Sequence, residues 1–150
     1  MVENHQEVEI DAPPEDVFEY IADPRNHLKF TPSMMDVSDV GENDVGKEGA
    51  YSFKMVGVTL EGRFADVTFD PPHRRSYELS GDIEGTVTWT IEESDGGSHV
   101  EYESTLEFPA PDVLETITSP VIARFSRNEI ETLLGNLQVL LEESDAEGET

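Results

Sequence analysis

Apolar and polar residues alternate with period two through most of the chain, and the period lengthens to a helical one near residue 112. The first alternation is short: Val8 and Ile10 stand against Glu7, Glu9 and Asp11. Pro13 and Pro14 break it, and Val17, Phe18 and Ile21 follow at helical spacing, with Glu15 and Asp16 where the dipole of a helix start favours acids. Six further strands are predicted. Residues 34–40 set Met35 and Val37 against Asp36 and Ser38, and residues 50–55 set Tyr51, Phe53 and Met55 against Ser52 and Lys54. Residues 58–69 change parity between Leu60/Phe64 and Val67/Phe69, which a bulge near Ala65–Asp66 reconciles. Residues 75–80 point Tyr77 and Leu79 one way. Residues 85–93 alternate Val87, Trp89 and Ile91 with threonines, and residues 98–108 alternate Val100, Tyr102, Leu106 and Phe108 with Glu101, Glu103, Thr105 and Glu107. One apolar and one charged face suit an antiparallel sheet with a wet side.

Beyond Pro109 and Pro111, residues 112 to about 143 read as helix. Ile130, Leu133, Leu134, Leu137, Leu140 and Leu141 form its stripe, which Val113, Leu114, Ile117, Val121 and Phe125 extend backwards. Unbroken, such a helix is roughly 45–50 Å long at 1.5 Å per residue. Ser119–Pro120 either kinks it or starts a second helix with Ser119 as N-cap. Gly135 inside the helix costs about 1 kcal/mol relative to alanine, so a close helix–sheet approach is expected there. The predicted fold is α+β: a curved antiparallel sheet of six to seven strands around one long C-terminal helix, with two short helices after the first strand. Residues 1–143 read as one domain and 144–150 as an acidic tail.

Composition adds a strong constraint. The 150 residues carry 34 acids against 9 basic groups, a net charge of −25, and no cysteine. Disulfides, thiolate metal sites and cysteine nucleophiles are excluded. Twelve aromatics and regular alternation argue against an acidic disordered chain. The acids are spread rather than gathered into a patch for a basic ligand. At molar salt the Debye length is only about 3 Å, so such a surface barely repels itself. The reading favoured is the cytoplasmic protein of a halophile. The charge disfavours nucleic acid and anionic membranes, and no apolar run is long enough to span a bilayer.

Three stretches carry a family resemblance. "VEIDAPPEDVFEYIADPRNHLKFTP", "GTVTWTIEESDGGSHVEYESTLEFP" and "SPVIARFSRNEIETLLGNLQVLLEE" together resemble the START/Bet v 1-like (SRPBCC) superfamily, in its polyketide cyclase/dehydrase and coenzyme Q-binding branch. The resemblance implies a helix-grip fold with an apolar cavity between sheet and helix. It implies ligands such as lipids, isoprenoid quinones or polyketides, and some members are enzymes. The fold does not choose among these.

On the residues alone, the apolar sheet face is either ordinary core or a cavity wall. With the resemblance, Tyr51, Phe53, Met55, Phe64, Tyr77, Trp89 and Tyr102 become the expected ligand wall, closed by Ile117, Val121 and Phe125 from the helix. Met34 and Met35 are further adaptable candidates. The space expected is at least the roughly 300 Å³ typical of drug-sized sites. No catalytic motif is present, the four histidines are scattered, and no spacing marks a metal or cofactor site. Binding, carriage or sequestration of a small apolar molecule is the first functional expectation, by a monomer or weak homodimer. A cyclase or dehydratase acting on a ketide-like substrate is the alternative, with Tyr77, Asp66, Arg63 and Tyr102 as candidates. A co-chaperone-like interaction module is the third. Arg124 and Arg127 are expected to pair with surface acids such as Glu131, the alternative being a ligand at the cavity mouth. Either Arg63 or Asp66, if turned inward, needs a buried partner.

Overall fold

A computed structural model describes residues 2–55, 57–108 and 119–148, with the side chains of the last helix from Pro120 to Glu143. The described elements are β1 (Val2–Ile10), α1 (Pro14–Ala22), a 3₁₀ turn (Pro24–Asn26), α2 (His27–Phe30), β2 (Met34–Glu42), β3 (Lys47–Met55), β4 (Val58–Asp70), β5 (Arg74–Gly81), β6 (Glu84–Ser94), β7 (Gly97–Glu107) and α3 (Ser119–Gly148). The seven strands form one curved antiparallel sheet in the order β1-β7-β6-β5-β4-β3-β2. All are sequential neighbours except β1, which closes onto β7. The sheet grips α3, and the short helices cap one end: this is the helix-grip fold.

Local chemistry explains the elements. Pro14 starts α1, where its missing N–H costs nothing, and Glu15 and Asp16 fill the first turn. Val17, Phe18 and Ile21 bury the other face of α1. Strand β1 begins six residues before the first apolar pair, because Asn4 and Gln6 occupy inward positions and hide its parity. Gln6 Nε2 donates to the Arg127 carbonyl at 3.0 Å, and Gln138 Nε2 donates to the Glu9 carbonyl at 2.7 Å, so β1 and α3 are tied by polar groups as well as packing. Trp89, Phe30, Ile10, Ile21, Leu60, Ile91 and Leu137 are fully buried, each worth about 1.5–3 kcal/mol or more of transfer free energy.

Three expectations need correction. Met35 is 52% exposed, and Met34, paired with Phe53, faces inward instead. Register shifts between Met34 and Asp36 and between Ser38 and Gly41 break the parity of β2, an edge strand where such irregularity protects against further pairing. The shift in β4 falls between Asp66 and Thr68, next to where the parity change put it. A Cβ on Gly135 would meet nothing within 4 Å, so no close approach explains that glycine. Val121 is 44% exposed. It lies about 100° around the helix from Ile122, which packs on the core, so the inward face runs through Phe125, Ser126, Glu129, Ile130 and Leu133 without it. Pro120 stands in the first turn of the described α3; Val113, Leu114, Ile117 and the rest of 109–118 lie outside the described residues.

Candidate functional site

A cavity of about 120 Å³, partly open to solvent, lies between the inner sheet face, the short helices and α3. Its wall is mainly apolar. Tyr51 and Phe53 come from β3, Phe64 from β4, Tyr77 and Leu79 from β5, Val87 from β6, Tyr102 and Leu106 from β7, and Phe125, Ile130 and Leu133 from α3. The volume is below the expected 300 Å³, because Phe53 and Phe125 meet edge to face at 6.1 Å and fill the helix side. Six of the ten expected wall residues therefore border the cavity. Met55 and Trp89 are fully buried in the core behind it, Val121 faces away, and Ile117 lies outside the described residues.

Trp89 still shapes the site. Its ring stands edge-on to Tyr102 at 5.0 Å, and its Nε1 donates to Tyr77 Oη at 3.3 Å. That leaves the Tyr77 hydroxyl proton free for another partner. Tyr51 reaches the cavity across its strand partner Gly62: a Cβ there would stand 2.7 Å from Tyr51 Oη and collide with the Ser80 carbonyl. Glycine is thus required for the phenol to lie flat over β4. Tyr51 Oη and Thr31 Oγ1 are both buried, both border the cavity, and both lack a hydrogen-bond partner among the described residues. Burial pushes the phenols of Tyr51, Tyr77 and Tyr102 up, so all three stay protonated donors at neutral pH.

Charged groups flank this wall. Asp66 is turned inward and Arg63 outward, where Arg63 Nη1 lies 3.9 Å from exposed Asp39. The partner of Asp66 is Arg75, two residues before Tyr77 on the same side of β5. Arg75 Nε donates to Asp66 Oδ1 at 2.9 Å and Nη1 donates to the Ile21 carbonyl at 2.7 Å. Its guanidinium lies 4.6 Å from the Tyr77 ring centre. Asp66 Oδ2 accepts from the Lys47 backbone N–H at 2.8 Å. Burial raises the Asp66 pKa, and the Arg75 charge and the Lys47 amide partly oppose that rise. His27 packs on Phe30 at 4.7 Å. Burial first, and then the Arg75 charge, lower its pKa to about 3, so it is neutral. Glu129 accepts from Ser33 Oγ at 2.8 Å and from Ser33 N–H at 2.9 Å, clamping the entry to β2 onto α3. His27, Thr31, Arg75 and Glu129 were missed as site residues. Only Arg75 carried a signal, its parity. Arg124 and Arg127 are exposed and, among the described residues, make no ion pair within 4.0 Å.

The profile of the family described as "Polyketide cyclase / dehydrase and lipid transport" matches residues 1–142. The chain belongs to this family. This family member also shares its fold with solved structures at low identity. The Thermus thermophilus protein TTHA0849 superposes with a TM-score of 0.82 at 18% identity, over 95% of this chain and 98% of that one. A START superfamily protein from Mycobacterium smegmatis gives 0.77 at 14%, over 94% and 97%. StfQ, the di-domain ARO/CYC of the steffimycin biosynthetic pathway, gives 0.76 at 13%, over 97% of this chain and 52% of that one. No curated protein matches. Family and fold support a hydrophobic-ligand-binding, polyketide cyclase-like domain, and among the described residues no helix is long and apolar enough to cross a membrane.

Proposed function

We propose that this protein binds a small, mainly apolar ligand carrying a hydrogen-bonding oxygen. The observation behind the reading is the pair of buried hydroxyls, Tyr51 Oη and Thr31 Oγ1, that have no partner among the described residues and stand on a mainly apolar cavity wall. A buried polar atom without a partner costs about 1–3 kcal/mol, and a ligand carbonyl accepting from Tyr51 removes that cost. Size narrows the ligand. An engineered apolar cavity of about 150 Å³ holds one benzene, so about 120 Å³ takes a single ring. A lipid, isoprenoid quinone or polyketide would place one ring or headgroup inside and leave the rest at the open side.

The cyclase or dehydratase reading has a specific observation behind it: protonated phenols and Arg75 around an apolar space can polarise a carbonyl. Among the described residues it lacks a matched base. His27, with a pKa of about 3, is a poor proton acceptor at neutral pH, and both oxygens of Glu129 are engaged by Ser33. Carriage or sequestration is therefore favoured over turnover.

Acetophenone, one ring with one carbonyl, tests the reading. Trp89 is the single tryptophan and lies directly behind Tyr77 and Tyr102, so its fluorescence reports occupancy. Saturable quenching is expected, with affinity about 5-fold weaker in Tyr51→Phe, the equivalent of one hydrogen bond of ~1 kcal/mol. Absence of saturation at millimolar acetophenone, or equal affinity in the variant, would overturn the proposal.

A further inference from the structure

The outer face of β1 and β7 gathers groups that the sequence scatters. Antiparallel pairing sets His5 opposite Glu103, Glu7 opposite Glu101 and Glu9 opposite His99. Two carboxylates face each other at the centre of this ladder, an arrangement that is destabilising unless a cation lies between them. An imidazole flanks them on each side.

The atom positions have a particular order. His99 Nε2 lies 3.3 Å from Glu7 Oε2 and 3.5 Å from Glu101 Oε1. The other oxygens of the same carboxylates turn towards His5: its Nε2 is 3.6 Å from Glu7 Oε1 and 3.8 Å from Glu101 Oε2. A tetrahedral zinc ion with bonds of about 2.0–2.1 Å needs ligand atoms about 3.3–3.4 Å apart. On the His99 side the two nitrogen–oxygen distances fall at or within about 0.2 Å of that spacing; the His5 side, whose Nε2 is also 3.7 Å from Glu103 Oε1, is looser. His99 Nδ1 is hydrogen-bonded to Glu9 Oε1. A carboxylate on the far ring nitrogen is the usual outer partner of a metal-bound histidine, fixing the tautomer that leaves Nε2 free. The three atoms at His99, Glu7 and Glu101 lie within 4.8 Å of one another, and all three side chains reach solvent.

We propose that His99, Glu7 and Glu101 bind one divalent cation of borderline softness, such as zinc or cobalt(II), with Glu9 orienting the imidazole and water completing the shell. Mixed nitrogen and oxygen ligands suit these ions better than calcium or magnesium, which take oxygen alone. The site faces away from the cavity and clips the edge strand β1 to β7. Sequence spacing shows no metal motif because the ligands come from strands about 90 residues apart.

The experiment titrates the full chain with Zn²⁺ by calorimetry and with Co²⁺ by visible absorption. It uses about 1 M KCl, where diffuse attraction to the acidic surface is screened, and about pH 8, above the ordinary histidine pKa. The expected result is one saturating equivalent, d–d bands of a mixed N/O site, and a shift of the His99 Nε2 resonance while Nδ1 stays protonated. His99→Gln should weaken Zn²⁺ binding at least 10-fold, and Glu9→Gln about 10-fold or more, as outer-partner losses do. Glu78→Gln, on the exposed face of β5, should change nothing. These positions are exposed or half-exposed, and circular dichroism checks that each variant folds. Zn²⁺ affinity unaffected by His99→Gln, a weakening by Glu78→Gln as large as that by His99→Gln, or no saturation would overturn the proposal.

Discussion

His27 is the residue whose chemistry departs furthest from its free state. Its pKa near 3 in the fold compares with an ordinary value of 6.5. Between those values the unfolded chain holds a proton that the folded chain does not. Stability is therefore complete above about pH 6.5 and falls as pH drops towards 3, by ~2 kcal/mol between pH 6.5 and 5. Urea unfolding at pH 7.5 and at pH 5 should show this loss in the wild type. His27→Leu should remove that part of the pH dependence, while the carboxylate contribution common to both proteins cancels. Equal pH slopes would show that His27 does not carry the effect. Tyr51 gives a second residue-scale expectation. Its hydroxyl has no partner among the described residues, so Tyr51→Phe should stabilise the unliganded protein by ~1 kcal/mol in the same unfolding assay. A purely structural tyrosine would lose stability instead. The variant thus separates a hydroxyl kept for binding from one kept for folding.

At the scale of elements, α3 and the β4–β5 pair carry the clearest consequences. Gly135 sits inside α3 with open space where a Cβ would be. Gly135→Ala should raise stability by about 0.5–1 kcal/mol, seen as a higher urea midpoint at unchanged slope. A loss would mean that the helix does need the glycine. Arg75 ties three elements together: Asp66 on β4, the end of α1 through Ile21, and the Tyr77 ring beside it on β5. Arg75→Met leaves Asp66 buried without its countercharge and should cost about 3–5 kcal/mol. Replacing Asp66 by Leu as well should restore much of that loss, because a buried pair exchanged for apolar groups is often near neutral. A double variant no more stable than the single one would place the importance of Asp66 in the Lys47 amide bond instead. These elements also show what the sequence made legible. Strand parity located all seven strands, and the proline corner located α1, because burial on one face imposes a period that apolar residues must follow. Parity misjudged which methionine of β2 faces inward, where edge irregularities change the period, and the length of β1, where Asn4 and Gln6 occupy inward positions. The cavity wall followed parity for Tyr51, Phe53, Phe64, Tyr77 and Tyr102. Whether an inward residue borders space or more protein depends on three-dimensional packing, which is why Trp89 and Met55 went to the core. His27 opens and Thr31 follows a helix of four residues, too short to show a period. The His5–His99 cluster exists only through strand pairing, which no local pattern encodes.

For the whole molecule, charge is the dominant feature. Net charge is −25 on 150 residues, and the neighbouring strands β1 and β7 set Glu7 opposite Glu101 on the outer face of the sheet. Local pairing relieves little of this: among the described residues, lysine and arginine ion pairs on the surface are limited to Lys47 with Glu42 at 3.3 Å and Arg63 with Asp39 at 3.9 Å. At about 0.01 M salt the Debye length is near 30 Å, so charges repel across much of the fold, whereas at 1 M it is near 3 Å and each acts almost alone. The unfolded chain spaces the same charges further apart, so repulsion penalises the compact state at low salt. The salt-adaptation expectation then becomes quantitative. The melting temperature should rise by about 10 °C or more between 0.01 M and 2 M KCl, the equivalent of ~3 kcal/mol for a domain of this length. Screening alone should act mostly below about 0.5 M. A further rise above 1 M would instead mark exclusion of salt from the protein surface, which strengthens apolar burial, and sulfate should then exceed chloride at equal ionic strength. Replacing exposed glutamates of β1 and β7 by glutamine should flatten the low-salt part of the curve and leave the high-salt part intact. A melting temperature independent of KCl over the whole range would mean that the acidic surface serves something other than salt.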